Sequence, residues 1–162
     1  MLWSTLLLAF SAATGALAQN NATEPKAPQL TFLYSANATV GPLIDYGKGP
    51  WGQRVALPIT GGTFSGPKLA GSIINLGADW GLIDSFGVFT PDTRYGLQTQ
   101  DGANIYVRTS GPASTRPYEV HLRLVFETGH ANYTWLNHIV AVGVLTGYPT
   151  YVLIDVWQME TL

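Results

Sequence analysis

Hydrophobic and polar positions alternate at a period of two through most of this chain, and glycine or proline punctuates the alternation at short intervals. The alternation is cleanest from Pro117 to Glu127. There Tyr118, Val120, Leu122, Leu124 and Phe126 fall on one face, against Glu119, His121, Arg123, Val125 and Glu127 on the other. That spacing predicts a long strand with one core face. Tyr151 to Trp157 repeats the pattern with Val152, Ile154 and Val156. Leu30 to Tyr34 begins a first strand, which Val40 and Leu43 continue loosely. Asp45 to Gln53 reads as a glycine-rich loop carrying Trp51. Arg54 to Ile59 alternates up to Gly61-Gly62, a turn signal, and Thr63 to Leu76 then reads as strand, Gly66-Pro67 turn, strand. Trp135 to Leu145 (WLNHIVAVGVL) is apolar and rich in β-branched residues, which with Gly143 predicts strand over helix.

A hairpin is expected around Asp101-Gly102. A two-residue type I′ turn there would need positive φ at both central residues. It would set Gln100 opposite Ala103, Thr99 opposite Asn104, Leu97 opposite Tyr106 and Tyr95 opposite Arg108. One face would then carry Tyr95, Leu97, Thr99, Asn104, Tyr106 and Arg108. The other would carry Arg94, Gly96, Gln98, Ile105, Val107 and Thr109. Eight to ten short strands result, with no amphipathic helix. The expected fold is all-β, a single antiparallel up-and-down β-barrel of lipocalin-like form, with a sandwich as the other candidate. Closure removes the exposed edges that threaten a β protein.

Composition narrows the function classes. The chain has 162 residues, 11% of them charged, and a net charge of −2, so it lacks the basic footprint that nucleic-acid binding requires. It contains no cysteine, which excludes disulfides, thiolate catalysis and zinc–thiolate sites. Met1 to Ala18 (MLWSTLLLAFSAATGALA) has an apolar centre and ends in Ala16-Leu17-Ala18, the small-x-small pattern of a cleaved signal peptide. Its apolar run is short for a bilayer span and is interrupted by Ser4, Ser11, Thr14 and Gly15, so no stable membrane anchor is expected. Residues 19–27 read as a flexible tail and 28–162 as the barrel domain. Three Asn-x-Thr acceptors, at Asn21, Asn37 and Asn132, fit a glycosylated protein that is secreted or held in the secretory lumen.

The segments GGTFSGPKLAG, GADW, DTRY, QTQDGANIYV and YTWLN occur in that order. On these the chain resembles the domain of unknown function 3237 family, also called UPF0311, over roughly Leu30 to Trp157. The resemblance implies a small β-barrel and leaves the activity largely unassigned. Members without leaders are common, so the leader and acceptor sites here are a departure.

The candidates for chemistry fall into three groups. Asp79, beside Trp80 in a Gly-Ala-Asp-Trp-Gly corner, is a carboxylate whose pKa desolvation would raise toward acid–base range. The competing reading is an Asp that binds turn amides beside a core Trp80. Arg94, two residues after Asp92, would grip a carboxylate or enolate-like oxygen if it faced inward, and would pair with Asp92 if it faced outward. Tyr95, Tyr106 and Arg108 share the other hairpin face, where a phenol donor and a cation over an aromatic ligand compete with ordinary sheet packing. Trp135 and Asn137, on one face at period two, would hold a flat apolar molecule bearing a carbonyl. His130 in the preceding loop is either a proton shuttle or a solvated side chain.

The three histidines lack ligand spacing, and no nucleotide-binding glycine loop or Gly-x-Ser-x-Gly elbow occurs, so neither metal nor cofactor is expected. The leading expectation is a cofactor-independent enzyme, a cyclase, isomerase or related lyase, acting on a hydrophobic small molecule in the barrel cavity in natural-product biosynthesis. Asp79, Arg94, Tyr106 and His130 are its catalytic candidates, and Trp80, Tyr95, Arg108, Trp135 and Asn137 its binding candidates. The alternative is a lipocalin-like carrier that converts nothing. A homodimer is compatible with either. A cavity containing Trp80 or Trp135 is expected in both.

Overall fold

The computed structural model describes residues 24–113 and 116–161. The leader and the acceptor Asn21 lie outside them. Eleven strands follow in chain order: β1 (Gln29–Val40), β2 (Ile44–Gly49), β3 (Gly52–Ser65), β4 (Ala70–Asp79), β5 (Leu82–Ile83), β6 (Phe89–Thr90), β7 (Asp92–Thr99), β8 (Asn104–Ser110), β9 (Glu119–Glu127), β10 (Ala141–Gly147) and β11 (Tyr151–Glu160). The neighbour order β1-β11-β10-β9-β8-β7-β4-β3 closes through pairing of β3 with β1, giving an antiparallel barrel of eight strands. Strands β2, β5 and β6 form a small flap on the first half of β3. Among the described residues no helix is long and apolar enough to cross a membrane.

Inward positions fill the barrel as the period-two pattern requires. Val120, Leu122, Leu124 and Phe126 of β9, Ile154 and Val156 of β11, and Ala36 and Ala38 of β1 are all buried. At mid-height Tyr34 packs edge-on against Phe64 and Phe126, with ring centroids 5.7 and 6.3 Å away. The Tyr34 and Tyr95 hydroxyls lie close enough to act on each other, yet neither completes a well-formed hydrogen bond. Burial pushes the Tyr95 phenol up to about 12 and Tyr34 well above its ordinary range.

Four local expectations are corrected. Gly61-Gly62 is not a turn: β3 continues through it, with φ of 134° and 131° and an irregular register to its neighbours. A Cβ at Gly62 would stand 2.1 Å from the Asn37 carbonyl oxygen, so glycine here lets β3 kink against β1. Asp45 to Gln53 is not a loop but mostly the β2–β3 hairpin, with Trp51 at its tip.

The Asp101-Gly102 hairpin is one residue out of the expected register, with Leu97 opposite Ile105, Tyr95 opposite Val107 and Arg94 opposite Arg108. Only Gly102 takes a positive φ, +87°. Gln100, Asp101 and Gly102 form a three-residue loop, closed by Thr99 N–H donating to the Ala103 carbonyl at 2.9 Å. The Thr99 hydroxyl donates to the Asp101 carboxylate and accepts the Ala103 N–H at 2.9 Å. That anchor spares Asp101 the left-handed conformation a type I′ turn would impose. The slip turns β8 over relative to β7. Tyr95, Leu97, Thr99, Ile105, Val107 and Thr109 face the core, while Tyr106 and Arg108 face outward with Arg94.

Finally, Trp135 does not begin a strand. Thr134–His138 is a short 3₁₀ helix and β10 starts at Ala141. The Asn137 amide accepts the Thr128 N–H and donates to the Thr128 carbonyl, both at 2.9 Å, so it satisfies two backbone groups only if this segment curls. The curl inserts Leu136, 1% exposed, into the end of the barrel. It seals that end and leaves the opposite mouth as the accessible one.

Candidate active site at the barrel mouth

The open mouth is built where β4, β8 and β10 end and β7, β9 and β11 begin. It holds a cavity of about 990 Å³, at the upper end of ordinary small-molecule sites. Val120, Leu145 and Val152, inward positions of adjacent strands, line it together with Leu57 of β3. Phe89, Pro91 and Ala113 form one side wall. Pro117 and Tyr118 from the β8–β9 connection and Tyr148 and Pro149 from the neighbouring β10–β11 turn also line the cavity. The two connections are tied by Gly147 N–H donating to the Tyr118 carbonyl at 2.8 Å. Arg116 and Glu119 also border the cavity and pair at 3.6 Å, with Glu119 reaching His121 at 3.0 Å.

Asp79 is the one aspartate on this predominantly apolar lining. It closes β4, registered between Leu57 and Thr93. Its Oδ1 accepts the Asp92 N–H at 3.0 Å, while Trp80 N–H donates to the Asp92 carbonyl at 3.0 Å. The carboxyl is therefore fixed in position. Burial raises its pKa from the ordinary 3.8 to about 6, the negative charge of Asp92 adding to the rise, and the hydrogen bonds from Asp92 N–H and the Thr93 side chain holding it partly back. A carboxyl poised there exists in both protonation states near neutral pH and can deliver or take a proton.

The remaining sequence candidates do not gather around Asp79. Arg94 and Arg108 stand side by side on the outer wall and share one partner, Asp92, at 3.1 and 3.3 Å. They reach the site only indirectly, by bracing the residue whose backbone holds Asp79. Tyr106 is 41% exposed and borders a separate outer depression with Asn104, Glu127, Thr128 and Gly129. His130 lies in an exposed loop with its ring 5.5 Å from that of Tyr133.

Trp80 lies on the flap side, its ring 6.4 Å from that of Tyr46. Trp135 donates Nε1–H to the Asn132 carbonyl at 3.1 Å and carries the Lys68 ammonium 5.4 Å from its ring, at the sealed end. Neither indole lines the mouth cavity, contrary to expectation. Tyr95 belongs to the core, and Asn137 is taken up by the Thr128 backbone. Among the described residues no three His, Asp or Glu side chains group as a metal site would require.

Sequence reasoning missed Phe89, Pro91, Tyr118 and Tyr148. The signal was present in the pairs Pro117-Tyr118 and Tyr148-Pro149. These set large rings beside prolines at turns, although the spacing of Tyr118 with Val120 points instead to the core face.

Comparison with known proteins supports the barrel fold. The chain is 33% identical over 136 residues to the hydroalkoxylation enzyme phnH of Penicillium herquei, covering 84% of this chain and 87% of that protein. The crystal structure of an enzyme from Penicillium herquei superposes with a TM-score of 0.72 at 31% identity, over 85% of this chain and 98% of that one. A β-barrel-like protein of Acinetobacter baumannii superposes with a TM-score of 0.79 at 35% identity, over 85% and 99% of the two chains. The family model for proteins of unknown function DUF3237 matches residues 28–159, and this chain belongs to that family.

Proposed function

We propose that the protein is a cofactor-independent cyclase that closes a ring by adding a hydroxyl across a carbon–carbon double bond within one apolar small molecule, in natural-product biosynthesis. The observation that carries this reading is Asp79, a carboxyl with a pKa of about 6 in a predominantly apolar cavity. Its similarity to a hydroalkoxylation enzyme supports the reaction class. The protonated Asp79 carboxyl gives its proton to one alkene carbon. The hydroxyl oxygen bonds to the other alkene carbon, and the hydroxyl proton returns to the Asp79 carboxylate. One O–H and one C=C π bond are exchanged for one C–H and one C–O bond, so the product is an isomer and no oxidant or reductant is consumed. The apolar walls keep water from intercepting the cation that develops, and they hold the two reacting groups together.

A secretory address belongs to the same proposal. The leader sequence supports it, as does the exposure of Asn37 on the outer face of β1 and Asn132 in the loop before the 3₁₀ helix.

The test is incubation of purified protein with ortho-prenylphenols, followed by chromatography and mass spectrometry. A product of unchanged mass and shifted retention is expected from the wild type. Asp79→Asn should lose it at least 100-fold while retaining substrate binding. Binding without any product from the wild type would favour the carrier reading, and full turnover by Asp79→Asn would remove Asp79 from the mechanism.

A further inference from the structure

Tyr118 occupies a costly backbone position. Its φ is +61°, and it is the one non-glycine residue among those described with a positive φ. Left-handed backbone is unfavourable for a bulky L-residue, and glycine adopts it freely. Such strain persists where the surroundings impose it and clusters at functional sites. Here Tyr118 is the third residue of a turn with Pro117 second, closed by Glu119 N–H donating to the Arg116 carbonyl at 3.3 Å, and its own carbonyl accepts the Gly147 N–H at 2.8 Å. The ring itself does nothing visible for the fold, being 79% exposed while bordering the mouth cavity. The ring therefore offers an open face at the rim of the cavity.

On the neighbouring connection of the rim stands Tyr148, next in chain to the Gly147 that bonds Tyr118, its ring stacked at 4.6 Å and 8° on Tyr151 and so held flat. Pro117 and Pro149 stiffen the two connections beside these rings. The mouth is thus bordered by two aromatic faces supported on tied turns, with an apolar interior beneath them.

We propose that Tyr118 is a specificity-determining residue that stacks on planar aromatic ligands entering the barrel, so that the substrate class is a flat aromatic molecule. This rests on the reading of the mouth cavity as the substrate site. The left-handed backbone presents the ring at the opening, and stacking on a flat ligand buries the exposed face. A saturated ligand of the same skeleton fills the same volume without that gain.

The experiment compares 2-naphthol with decahydro-2-naphthol as probes, by calorimetric titration of wild type, Tyr118→Gly, Tyr118→Leu and Tyr118→Phe. Wild type and Tyr118→Phe should prefer 2-naphthol. Tyr118→Gly and Tyr118→Leu should each lose about ten-fold in affinity for it and little for the saturated alcohol. Tyr118→Gly should also melt several degrees higher than wild type, which separates a ligand role from a structural one. An unchanged preference in Tyr118→Gly overturns the role of Tyr118 and leaves the cavity reading standing. Failure of the wild type to bind either probe overturns both. Turnover is not read here, so loss of the Asp79 mechanism registers separately in the prenylphenol assay.

Discussion

Asp79→Asn should make the protein more stable, and increasingly so as pH rises. The side chain keeps its shape and its carbonyl oxygen, which can still accept the Asp92 N–H, but it can no longer ionise. In the wild type the folded-state pKa is about 6 against 3.8 unfolded, so the folded chain holds its proton more tightly. The linkage runs in one direction. The contribution of Asp79 to stability is fully present below pH 3.8 and is lost as pH rises through 6, where folding must bury a charge. A shift of about two units corresponds to ~3 kcal/mol at full expression. Partial solvation of the site makes that a ceiling, and about 2–3 kcal/mol is the working figure. For a domain of this size that is roughly 4–10 °C in Tm. Thermal melts of both proteins from pH 4 to pH 8 would read it. The two curves should lie close together at pH 4 and diverge toward pH 7, with the variant above. A difference that stays flat with pH, or a variant that melts below the wild type at pH 8, would refute the argument that Asp79 is held in a desolvating cavity.

Two other substitutions probe the barrel. Leu136→Ala empties the plug of the sealed end and should cost about 2–5 kcal/mol in urea unfolding without changing the preference for aromatic probes at the far mouth. Tyr95→Phe removes one of two buried hydroxyls without well-formed hydrogen bonds and should be neutral or stabilising by up to about 1 kcal/mol in the same experiment.

The barrel was legible in the sequence because its strands are half buried and the alternation reports burial directly. Val120 to Phe126 and Val152 to Val156 face the core as their spacing says. Local devices that override the pattern were not legible. The Asp101-Gly102 pair allowed a two-residue turn, but the Thr99 hydroxyl selected a three-residue one, and that single residue reassigned every side chain of β8 relative to β7. The amide of Asn137 curled a stretch whose composition favours strand. Both devices are side chain to backbone bonds, which leave no periodic trace.

The site was half legible for the same reason. Asp79 was visible as a carboxylate in a tight apolar corner. Its cavity was not, because the walls come from turns distant in sequence, and because Trp80 and Trp135, the more conspicuous rings, are spent on the flap and the sealed end. The position of Tyr118 shows the limit most clearly. Its spacing with Val120 assigns it to the core face, whereas a positive φ turns it out to the rim.

The central claim is that a protonated Asp79 carboxyl drives the ring closure. The pH dependence of wild-type turnover on an ortho-prenylphenol tests it most directly. If Asp79 is the acid, kcat/KM stays level below pH 6 and falls about ten-fold per pH unit above it. A rate that is flat to pH 8, or that climbs as the carboxyl ionises, would contradict the account.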